Sequence, residues 1–314
     1  MPEPQKTIRF SGAEYTVLRE FALGGSQIFV IGKLGDARKK RIEKAVLRRA
    51  HRNDCLVAVH HLEDTAANRN HIRRLDSLDR GSPFARILQS GRNEGNYVVA
   101  LEFIEGQSLR TKLVKKEISS FMAIRLYATL VNQLCFLHRQ IGFTHGDLAP
   151  ENMVVRNNGK SLVLIDFGSS FTFAESKTPP EGDGDRPVYL APENFRGNPS
   201  GRISEQFSAA AIFYEMLTGK IPYDVAKKEK GQPIDFVAAS KQALDSSLPQ
   251  PLWQLIDSHL SKALAFEPKG RFATLNKWQD SAKKIFTLSE NPELLFAQSP
   301  KAGLLEKISE WFKR

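Results

Sequence analysis

Asp147, Asn152 and Asp166 are the residues whose types and spacing could best support chemistry, and all three lie between His145 and Gly168. Carboxylate and amide oxygens are hard ligands, which Mg²⁺ accepts while it also binds phosphate groups. A remaining carboxylate can take the proton of an attacking hydroxyl, a contribution of about 10²–10⁴-fold in rate. Together the three side chains predict a magnesium site with a general base beside it, provided that the fold brings them to one place.

A hairpin would bring these residues together. The apolar runs Met153–Val155 and Leu162–Ile165 have the length and β-branched content of strands. Between them, the residues at 157–159 read Asn-Asn-Gly, a composition typical of a tight turn. We expect the folded hairpin to place the two carboxylates and the amide at one end.

The pattern H-x-D-x-x-x-x-N, followed by D-F-G, resembles the catalytic and metal loops of protein kinases. The resemblance extends over about residues 14–285. It implies that Asp147 is the catalytic base and that Asn152 and Asp166 bind Mg²⁺. A single Asp here could be a turn residue or a helix cap, but that interpretation does not account for the whole set.

The resemblance implies an α+β, two-lobed protein kinase fold, with a small, mostly antiparallel β N-lobe that carries one helix and a larger, mostly helical C-lobe. A chain of 314 residues suits two such lobes. We place the N-lobe at residues 1–105, the C-lobe at 106–285 and a C-terminal helical extension at 286–314. The apolar stripe of this extension, Leu304 to Phe312, would pack on the C-lobe or dock a partner.

Composition points to a cytoplasmic protein. Hydrophobic residues make up 41% of the chain and charged residues 25%, which is ordinary for a globular protein. The beginning of the chain does not read as a secretory signal, and the apolar run at 209–214 is too short to span a bilayer. The two cysteines, Cys55 and Cys135, form no disulfide framework and are expected to be buried thiols.

Much of the net charge of +10 lies between Asp36 and Arg52. This stretch is either a solvated basic loop and strand or a surface for an anionic partner, such as ATP phosphates or an acidic protein. No RNA-binding motif, zinc motif or aromatic interleaving accompanies it, so we do not predict nucleic acid as a partner.

The N-lobe resembles the family in an incomplete way. Gly24 and Gly25, between two predicted strands, resemble the Gly-rich loop over ATP phosphates, although Ala22 and Gln27 stand at the first and third glycine positions. In the family, a short helix then presents a glutamate to a lysine on the next strand. In this sequence the predicted helix at 65–79 has His71 at that position.

The strand lysine itself is not evident. Ile42–Arg49 resembles the family strand with Arg48 at the lysine position and Lys44 on the same face; Leu56–Leu62 resembles it with His60 there. We favour the first, because the second would shift the glycine loop to 35–40. Arg48 or Lys44 would then steady the phosphates, although the planar fork of arginine differs from an ammonium group.

The predicted strand Asn96–Ile104 resembles the hinge between the lobes. The resemblance implies that backbone groups of Glu102 and Ile104 bind adenine and that Leu101 guards the back of the pocket. An ordinary core strand would show the same apolar pattern, and the two interpretations are compatible.

In the C-lobe, Ser119 or Ser120 can cap a long helix that runs to Arg139, and a second helix is predicted from Ser204 to Leu217 with Gly219 as its cap. Pro-rich and acidic residues at 175–185 predict a mobile loop.

Ala191-Pro192-Glu193 resembles the end of a kinase activation segment. The resemblance implies that Arg271 pairs with Glu193. It also implies that Glu205 replaces the aspartate that holds the catalytic-loop backbone.

The sequence therefore predicts an ATP- and Mg²⁺-dependent protein kinase that phosphorylates a protein hydroxyl, of Ser or Thr. Gly146 stands where an Arg would read a phosphorylated activation loop, so we expect activity without that phosphorylation; Ala149 stands where Ser/Thr kinases place a lysine. One alternative is a pseudokinase, favoured by the missing strand lysine. The other is a small-molecule phosphotransferase, because H-G-D loops also occur in that class.

Overall fold

The strand-rich beginning of the chain forms one antiparallel sheet in the computed structural model, which describes residues 7–10, 13–23, 27–34, 56–77, 83–93, 95–165, 171–172, 188–195, 201–232 and 235–295. The chain divides into two compact units. Of the described residues, the first unit holds those up to Glu105 and 163–165, and the second holds the remainder. The division thus falls after Glu105 and passes again through a strand after Leu162.

Six strands make up the sheet of the first unit, in the order β1-β2-β3-β4-β6-β5. Their bounds are β1 Thr7–Phe10, β2 Ala13–Leu23, β3 Gln27–Leu34, β4 Leu56–Glu63, β5 Ile87–Asn93 and β6 Asn96–Glu102. Every paired neighbour is antiparallel, and the β2–β3 pairing ends at Leu23 opposite Gln27. This register keeps Gly24 and Gly25 between two strands as predicted, although both glycines lie outside the described residues.

The strand beside β3 corrects our choice for the phosphate-gripping strand. β4, Leu56–Glu63, occupies that place, with Ile31 opposite Ala58 and Phe29 opposite His60. We preferred residues 42–49 because the alternative would have shifted the glycine loop to 35–40, whereas the structure combines the β2–β3 hairpin with β4 as the next strand. A longer connection adds little closure entropy, which grows only with the logarithm of its length. Lys44 and Arg48 therefore do not lie on this strand, and they fall outside the described residues.

Helix α1 (Ala66–Asp76) lies where the sequence predicts a helix. Thr65 caps it, because its hydroxyl accepts a hydrogen bond from the N–H of Asn68 at 3.1 Å. Ile72 is buried in a cluster with Leu62, Tyr97 and Val99. The helical spacing of apolar residues is thus explained by packing on strands β4 and β6.

The second unit is mostly helical. Its helices are α2 Leu109–Val114, α3 Ser120–Phe136, α4 Pro192–Phe195, α5 Arg202–Thr218, α6 Val225–Glu229, α7 Gln250–Ala263 and α8 Leu275–Glu290. Ser119 caps α3 by accepting from the N–H of Met122 at 3.3 Å. Helix α5 ends at Gly219, whose φ of +68° suits glycine and little else. Both predicted caps are therefore confirmed.

Short strands flank the loops of this unit, and one of them passes into the first unit after Leu162. β7 is Gly106–Ser108, β8 Phe143–Thr144, β9 Met153–Arg156, β10 Leu162–Leu164 and β11 Phe171–Thr172. The sheet order β10-β9-β7 confirms the predicted hairpin, and the Gly159 N–H closes its turn on the Arg156 carbonyl at 2.8 Å. Gly106 is required in β7, because a Cβ there would collide with the carbonyl of Val155.

The core of the second unit forms around Tyr127 on α3. Its ring stacks on Phe213 of α5 at a centroid distance of 4.1 Å. Its hydroxyl bonds to His259 of α7 at 2.7 Å and accepts from the indole N–H of Trp278 of α8 at 3.2 Å. Four helices therefore meet at one buried tyrosine side chain, and its hydroxyl joins three of them, so directional bonds as well as apolar contact fix their relative positions.

Residues 120–141, helix α3 with the π-helical turn Leu137–Ile141, are long and apolar enough to cross a membrane by length and composition alone. This stretch is longer than the apolar run that the sequence analysis considered. About two thirds of it is buried inside the unit, 67% of the tested window, which accounts for its apolar character by packing. The predicted boundary at 285/286 lies inside α8, where Phe286 and Leu288 are still buried, so a separate extension does not begin there.

Candidate active site

Asp147 and Asn152 lie on the loop between β8 and β9, and the side-chain amide of Asn152 hydrogen-bonds to Asp147. Nδ2 of Asn152 donates to the backbone carbonyl of Asp147 at 2.9 Å and to its carboxylate Oδ2 at 3.0 Å. Both residues are buried, at 9% and 5% exposure. Because the amide nitrogen is engaged with Asp147, Oδ1 is the atom of Asn152 left to ligate a hard cation. The donor chemistry of Asn152 therefore fits the Mg²⁺ that the kinase resemblance implies.

Asp166 lies just past the end of a described segment, which stops at Ile165, so its convergence with Asp147 and Asn152 stays a prediction. Within the described residues, no group of three His, Cys, Asp or Glu side chains could hold a metal ion by itself. Asp166 stays the second ligand of the predicted magnesium site.

The side chain of Glu205 on helix α5 holds the catalytic loop by binding the backbone of the loop. Its Oε1 accepts the N–H of Gly146 at 3.0 Å, and its Oε2 bonds to Nε2 of His138 at 2.5 Å. The carboxylate is buried, and so is the imidazole. The role that the resemblance implied for Glu205 is therefore confirmed. The sequence did not indicate His138, because nothing in its local spacing marks it as a partner of residue 205.

Gly146 adopts a φ of +80°, in the left-handed region that side chains disfavour. The arginine that this family usually carries here would have to take the same backbone conformation. Glycine removes that strain and leaves the N–H aimed at Glu205, which explains in physical terms why the loop can hold its shape without the arginine.

Arg110 of helix α2 ties the catalytic loop to two distant parts of the unit. Its Nε donates to Glu151 at 2.6 Å, and its terminal nitrogens donate to Glu215 at 2.7 Å and to the Tyr189 hydroxyl at 2.5 Å. Tyr189 in turn donates to the other oxygen of Glu215 at 2.6 Å. Because Glu151 directly precedes Asn152, the network joins the predicted metal ligand to residues 188–190.

The charges in this network support one another. Burial disfavours the charged guanidinium, but the hydrogen bond to Glu151 and the electrostatic effects of Tyr189 and Glu215 outweigh it, so the pKa of Arg110 lies above its usual value. Burial raises the pKa of Tyr189, and the negative charge of Glu215 raises it further. Arg110 therefore stays a cation and Tyr189 a neutral donor. No sequence motif indicated either residue.

The predicted pair of Arg271 and Glu193 is confirmed as a buried, bidentate contact. The two terminal nitrogens of Arg271 donate to the two carboxylate oxygens at 2.6 and 2.8 Å. Ser204 donates to the same carboxylate at 2.7 Å, and Nε of Arg271 donates to the carbonyl of Ala265 at 2.9 Å. The contact joins α4 and the start of α5 to the residues just before α8.

The predicted adenine-binding residues lie at the end of the first unit. The N–H of Glu102 donates to the carbonyl of Arg86 at 2.8 Å, and the Arg86 side chain donates to the Glu102 carboxylate at 3.3 Å. An adenine contact from Glu102 would therefore use its carbonyl. Ile104 is buried, at 7% exposure. Both assignments stay predictions, as do Gly24 and Gly25 outside the described residues.

Strand β4 bears on phosphate binding, because its sequence, L-V-A-V-H-H-L-E, contains no lysine. In register, His60 lies opposite Phe29 of β3 and Val99 of β6. The alternative left open by the sequence, with His60 at the lysine position, agrees with this strand order.

A family model described as "Protein kinase domain" matches residues 44–281, more than half of the chain. The chain belongs to the protein kinase family. The resemblance drawn from the catalytic stretch is thereby confirmed, and so is the predicted α+β kinase fold, with its antiparallel sheet in the first unit and its helices in the second. The match begins past β3, in the part of the kinase domain where the sequence departs most from the family pattern.

Several curated relatives are Ser/Thr protein kinases by name. The chain is 30% identical over 197 residues to the probable serine/threonine-protein kinase PknB of Bifidobacterium longum, an alignment that covers 61% of this chain and 28% of that protein. It is 29% identical over 205 residues to the serine/threonine-protein kinase AtPK1/AtPK6 of Arabidopsis thaliana, covering 65% of this chain and 42% of that one. A RAC family serine/threonine-protein kinase homolog of Dictyostelium discoideum is 27% identical over 226 residues, which cover 70% and 48% of the two chains. The kinase thus spans less than half the length of these relatives.

Proposed function

We propose that this kinase transfers the γ-phosphoryl group of ATP to a Ser or Thr hydroxyl of a protein. The observation that carries the proposal is the buried Asp147–Asn152 unit, which the amide of Asn152 holds with two hydrogen bonds. The family and the names of the relatives support the same reaction and the same class of acceptor.

In the proposed reaction, Asp147 orients the acceptor hydroxyl and receives its proton as the phosphoryl group is transferred. Asn152 and Asp166 would hold Mg²⁺, which when bound neutralises charge on the phosphate oxygens. Glu205 fixes the backbone of the loop before Asp147, and Arg110 fixes Glu151 behind it. The chain's contribution is thus to keep the base and the ligand in place before the substrates arrive.

A pseudokinase is the second candidate, and the composition of β4 favours it, because the strand beside β3 has no lysine to grip the phosphates. An active enzyme would need another cation, and Lys44 and Arg48 remain candidates for that role by charge alone. The nearly complete catalytic stretch opposes the pseudokinase, since chemistry is what requires Asp147, Asn152 and Asp166 together.

The decisive experiment follows transfer of labelled phosphate from ATP in the presence of Mg²⁺, with a degenerate library of Ser and Thr peptides as acceptors. Asp147→Asn should abolish transfer while a nucleotide-dependent melting shift persists. Asp76→Asn, an exposed carboxylate at the end of α1, is the matched control and should behave as the wild type.

Three outcomes count against the proposal. A melting shift with no transfer by the wild type identifies a pseudokinase. Transfer that survives in Asp147→Asn removes Asp147 as the base. Phosphorylation of a small amine or antibiotic acceptor in preference to every peptide identifies a small-molecule phosphotransferase.

A cytoplasmic location and the docking of a partner by residues 304–312 stay part of the proposal. Cys135 is a free, buried thiol, and burial raises its pKa to about 12, which makes it inert. This agrees with a reducing compartment. Residues 304–312 lie outside the described residues.

A further inference from the structure

Lys228 on helix α6 is fully buried, at 0% exposure, and its ammonium binds the main chain of a neighbouring segment. Nζ donates to the carbonyl of Val188 at 2.6 Å and to the carbonyl of Leu190 at 3.0 Å, and it lies 3.4 Å from the hydroxyl of Tyr223. Lysine is almost never fully buried unless its charge is satisfied. The two carbonyls accept hydrogen bonds from Nζ and so help to satisfy the buried amine.

Three aromatic rings surround the same ammonium. Nζ lies 4.4 Å from the ring centroid of Tyr223, 5.2 Å from that of Phe195 and 5.9 Å from that of Phe207. Ring faces at these distances attract a cation, and the attraction is stronger where water is absent. Burial lowers the pKa of Lys228 to about 7, and Glu229 on the same helix partly opposes this. Two carbonyls and three rings thus surround one buried amine.

The segment that Lys228 holds is connected to the catalytic loop through side-chain hydrogen bonds. Residues 188–190 directly precede Ala191-Pro192-Glu193, and the hydroxyl of Tyr223 donates to the same Val188 carbonyl at 2.5 Å. Between the two carbonyls, Tyr189 extends its hydroxyl to Arg110, which binds Glu151 beside Asn152. Lys228 therefore holds the main chain of a segment whose side chain is part of the network around the catalytic loop.

We propose that Lys228 is a positioning residue for the protein acceptor: its ammonium fixes the main chain of residues 188–190 in the conformation that sets an acceptor beside Asp147. This inference rests on the proposed kinase reaction. Because Lys228 has no exposed surface, it acts through the segment and not by touching ATP or the acceptor. Its loss should accordingly alter the use of the acceptor and leave the use of ATP alone.

The test compares Lys228→Met, which keeps the length and apolar character of the stem, with Lys227→Met, an exposed neighbour on the same helix. The acceptor is the best peptide from a degenerate Ser/Thr library. Lys228→Met should lower kcat/KM for this peptide by about tenfold or more, as expected for the loss of two hydrogen bonds to the main chain, with KM for ATP unchanged. Lys227→Met should change neither value.

A second measurement does not depend on activity. Hydrogen exchange of the amides at 188–191 should be faster in Lys228→Met, and also in Tyr223→Phe, which removes the hydroxyl donor but keeps the ring. Lys227→Met should exchange like the wild type. Tyr223→Phe also keeps the inference testable if Lys228→Met fails to fold.

Unchanged exchange in both variants would show that the amine does not hold the segment and would overturn the inference. A parallel rise in KM for ATP and for the peptide, with a lower melting temperature, would also overturn it, because it indicates general destabilisation. If the wild type transfers no phosphoryl group to any peptide, the proposed reaction fails, whereas the exchange measurement still decides whether Lys228 fixes residues 188–190.

Discussion

Glu205 and Gly146, 59 residues apart, are joined by a hydrogen bond of 3.0 Å from the backbone N–H of the glycine to the carboxylate of the glutamate. The carboxylate is buried at 2% exposure and its other oxygen bonds to His138. A buried carboxylate with two fixed partners cannot move without leaving one of them unpaired. The start of the catalytic loop is therefore anchored to helix α5 by a side chain that is distant in sequence.

Removing this anchor should affect stability and catalysis together. We expect Glu205→Ala to lower the free energy of unfolding by about 1–3 kcal/mol, because the N–H of Gly146 loses its acceptor in a buried place. Urea unfolding with an unchanged slope measures this loss. Glu205→Gln retains an acceptor for Gly146 and should lose less stability. Equal losses in the two variants would show that charge, and not the bond to Gly146, is what matters.

Arg110→Met should reduce both stability and phosphoryl transfer. The variant leaves Glu215 and Tyr189 without the cation between them, and it frees Glu151 next to Asn152. Because Arg110 is partly exposed, we expect a loss of about 1–3 kcal/mol in the free energy of unfolding. A displaced loop should lower kcat/KM by about 10- to 100-fold.

The control for Arg110 is Arg125→Met, which breaks an exposed ion pair with Glu290. Such surface pairs contribute about 0–1 kcal/mol. A double-mutant cycle of Arg110→Met with Glu151→Gln should give a coupling energy above about 0.5 kcal/mol if the two residues act as a unit. Additive effects would argue against the network.

The pair of Arg271 and Glu193 should make stability depend on acid pH. Burial pushes the pKa of Glu193 up, but the hydrogen bonds and charge of Arg271, with the hydroxyl of Ser204, outweigh it and lower the pKa below 4.5. A carboxylate with a depressed folded pKa stabilises the protein above its unfolded pKa and loses that contribution as pH falls through the folded value. The stability difference between wild type and Glu193→Gln should therefore be constant above about pH 5 and shrink below about pH 4.5.

Breaking the Arg271–Glu193 pair at neutral pH should lower the free energy of unfolding far more than breaking a surface ion pair does. We expect Arg271→Met to lose about 3–5 kcal/mol, since it leaves a buried carboxylate without its cation. Glu290→Gln in the exposed pair is the matched comparison. A similar small loss in both variants, measured by urea unfolding at pH 7, would contradict the assignment of Arg271–Glu193 as a buried structural contact.

His259 should give a second, separate pH dependence. Burial lowers its pKa to about 3, and both ring nitrogens are engaged, with Tyr127 at 2.7 Å and Ser281 at 2.8 Å. The unfolded chain protonates this residue near pH 6.5, whereas the folded chain keeps it neutral. The contribution of His259 to stability is therefore complete well above pH 6.5 and is lost as the pH drops toward 3, by roughly 2 kcal/mol between pH 8 and 5.

His259→Gln should flatten this dependence. Glutamine can still exchange a hydrogen bond with one hydroxyl, but it does not titrate. The measurement is the free energy of unfolding at pH 5 and pH 8 for both proteins. If the variant loses as much stability on acidification as the wild type, His259 is not the group responsible.

Local sequence patterns determined much of the catalytic loop and its supports. The spacing of Asp147 and Asn152, the Asn-Asn-Gly turn and the caps Ser119 and Gly219 are all short-range features, in which each residue acts on neighbours a few positions away. Such features depend little on the rest of the chain, because backbone dihedral preferences and capping bonds are local. The roles of Glu205 and Arg271 came from the family resemblance, and their geometry agrees with it.

The tertiary structure alone decided which groups meet over long distances. Nothing in the spacing of Arg110, Glu151, Glu215 and Tyr189 marks them as partners, and Lys228 reads in sequence as one more surface lysine of a basic helix. The choice between the two candidate strands beside β3 also required the fold, since antiparallel pairing depends on which apolar faces fit together and hardly on the length of chain between them. A charged side chain that is buried must bind fixed partners. Burial is a property of the folded chain as a whole, so the partners of these residues became apparent only in three dimensions.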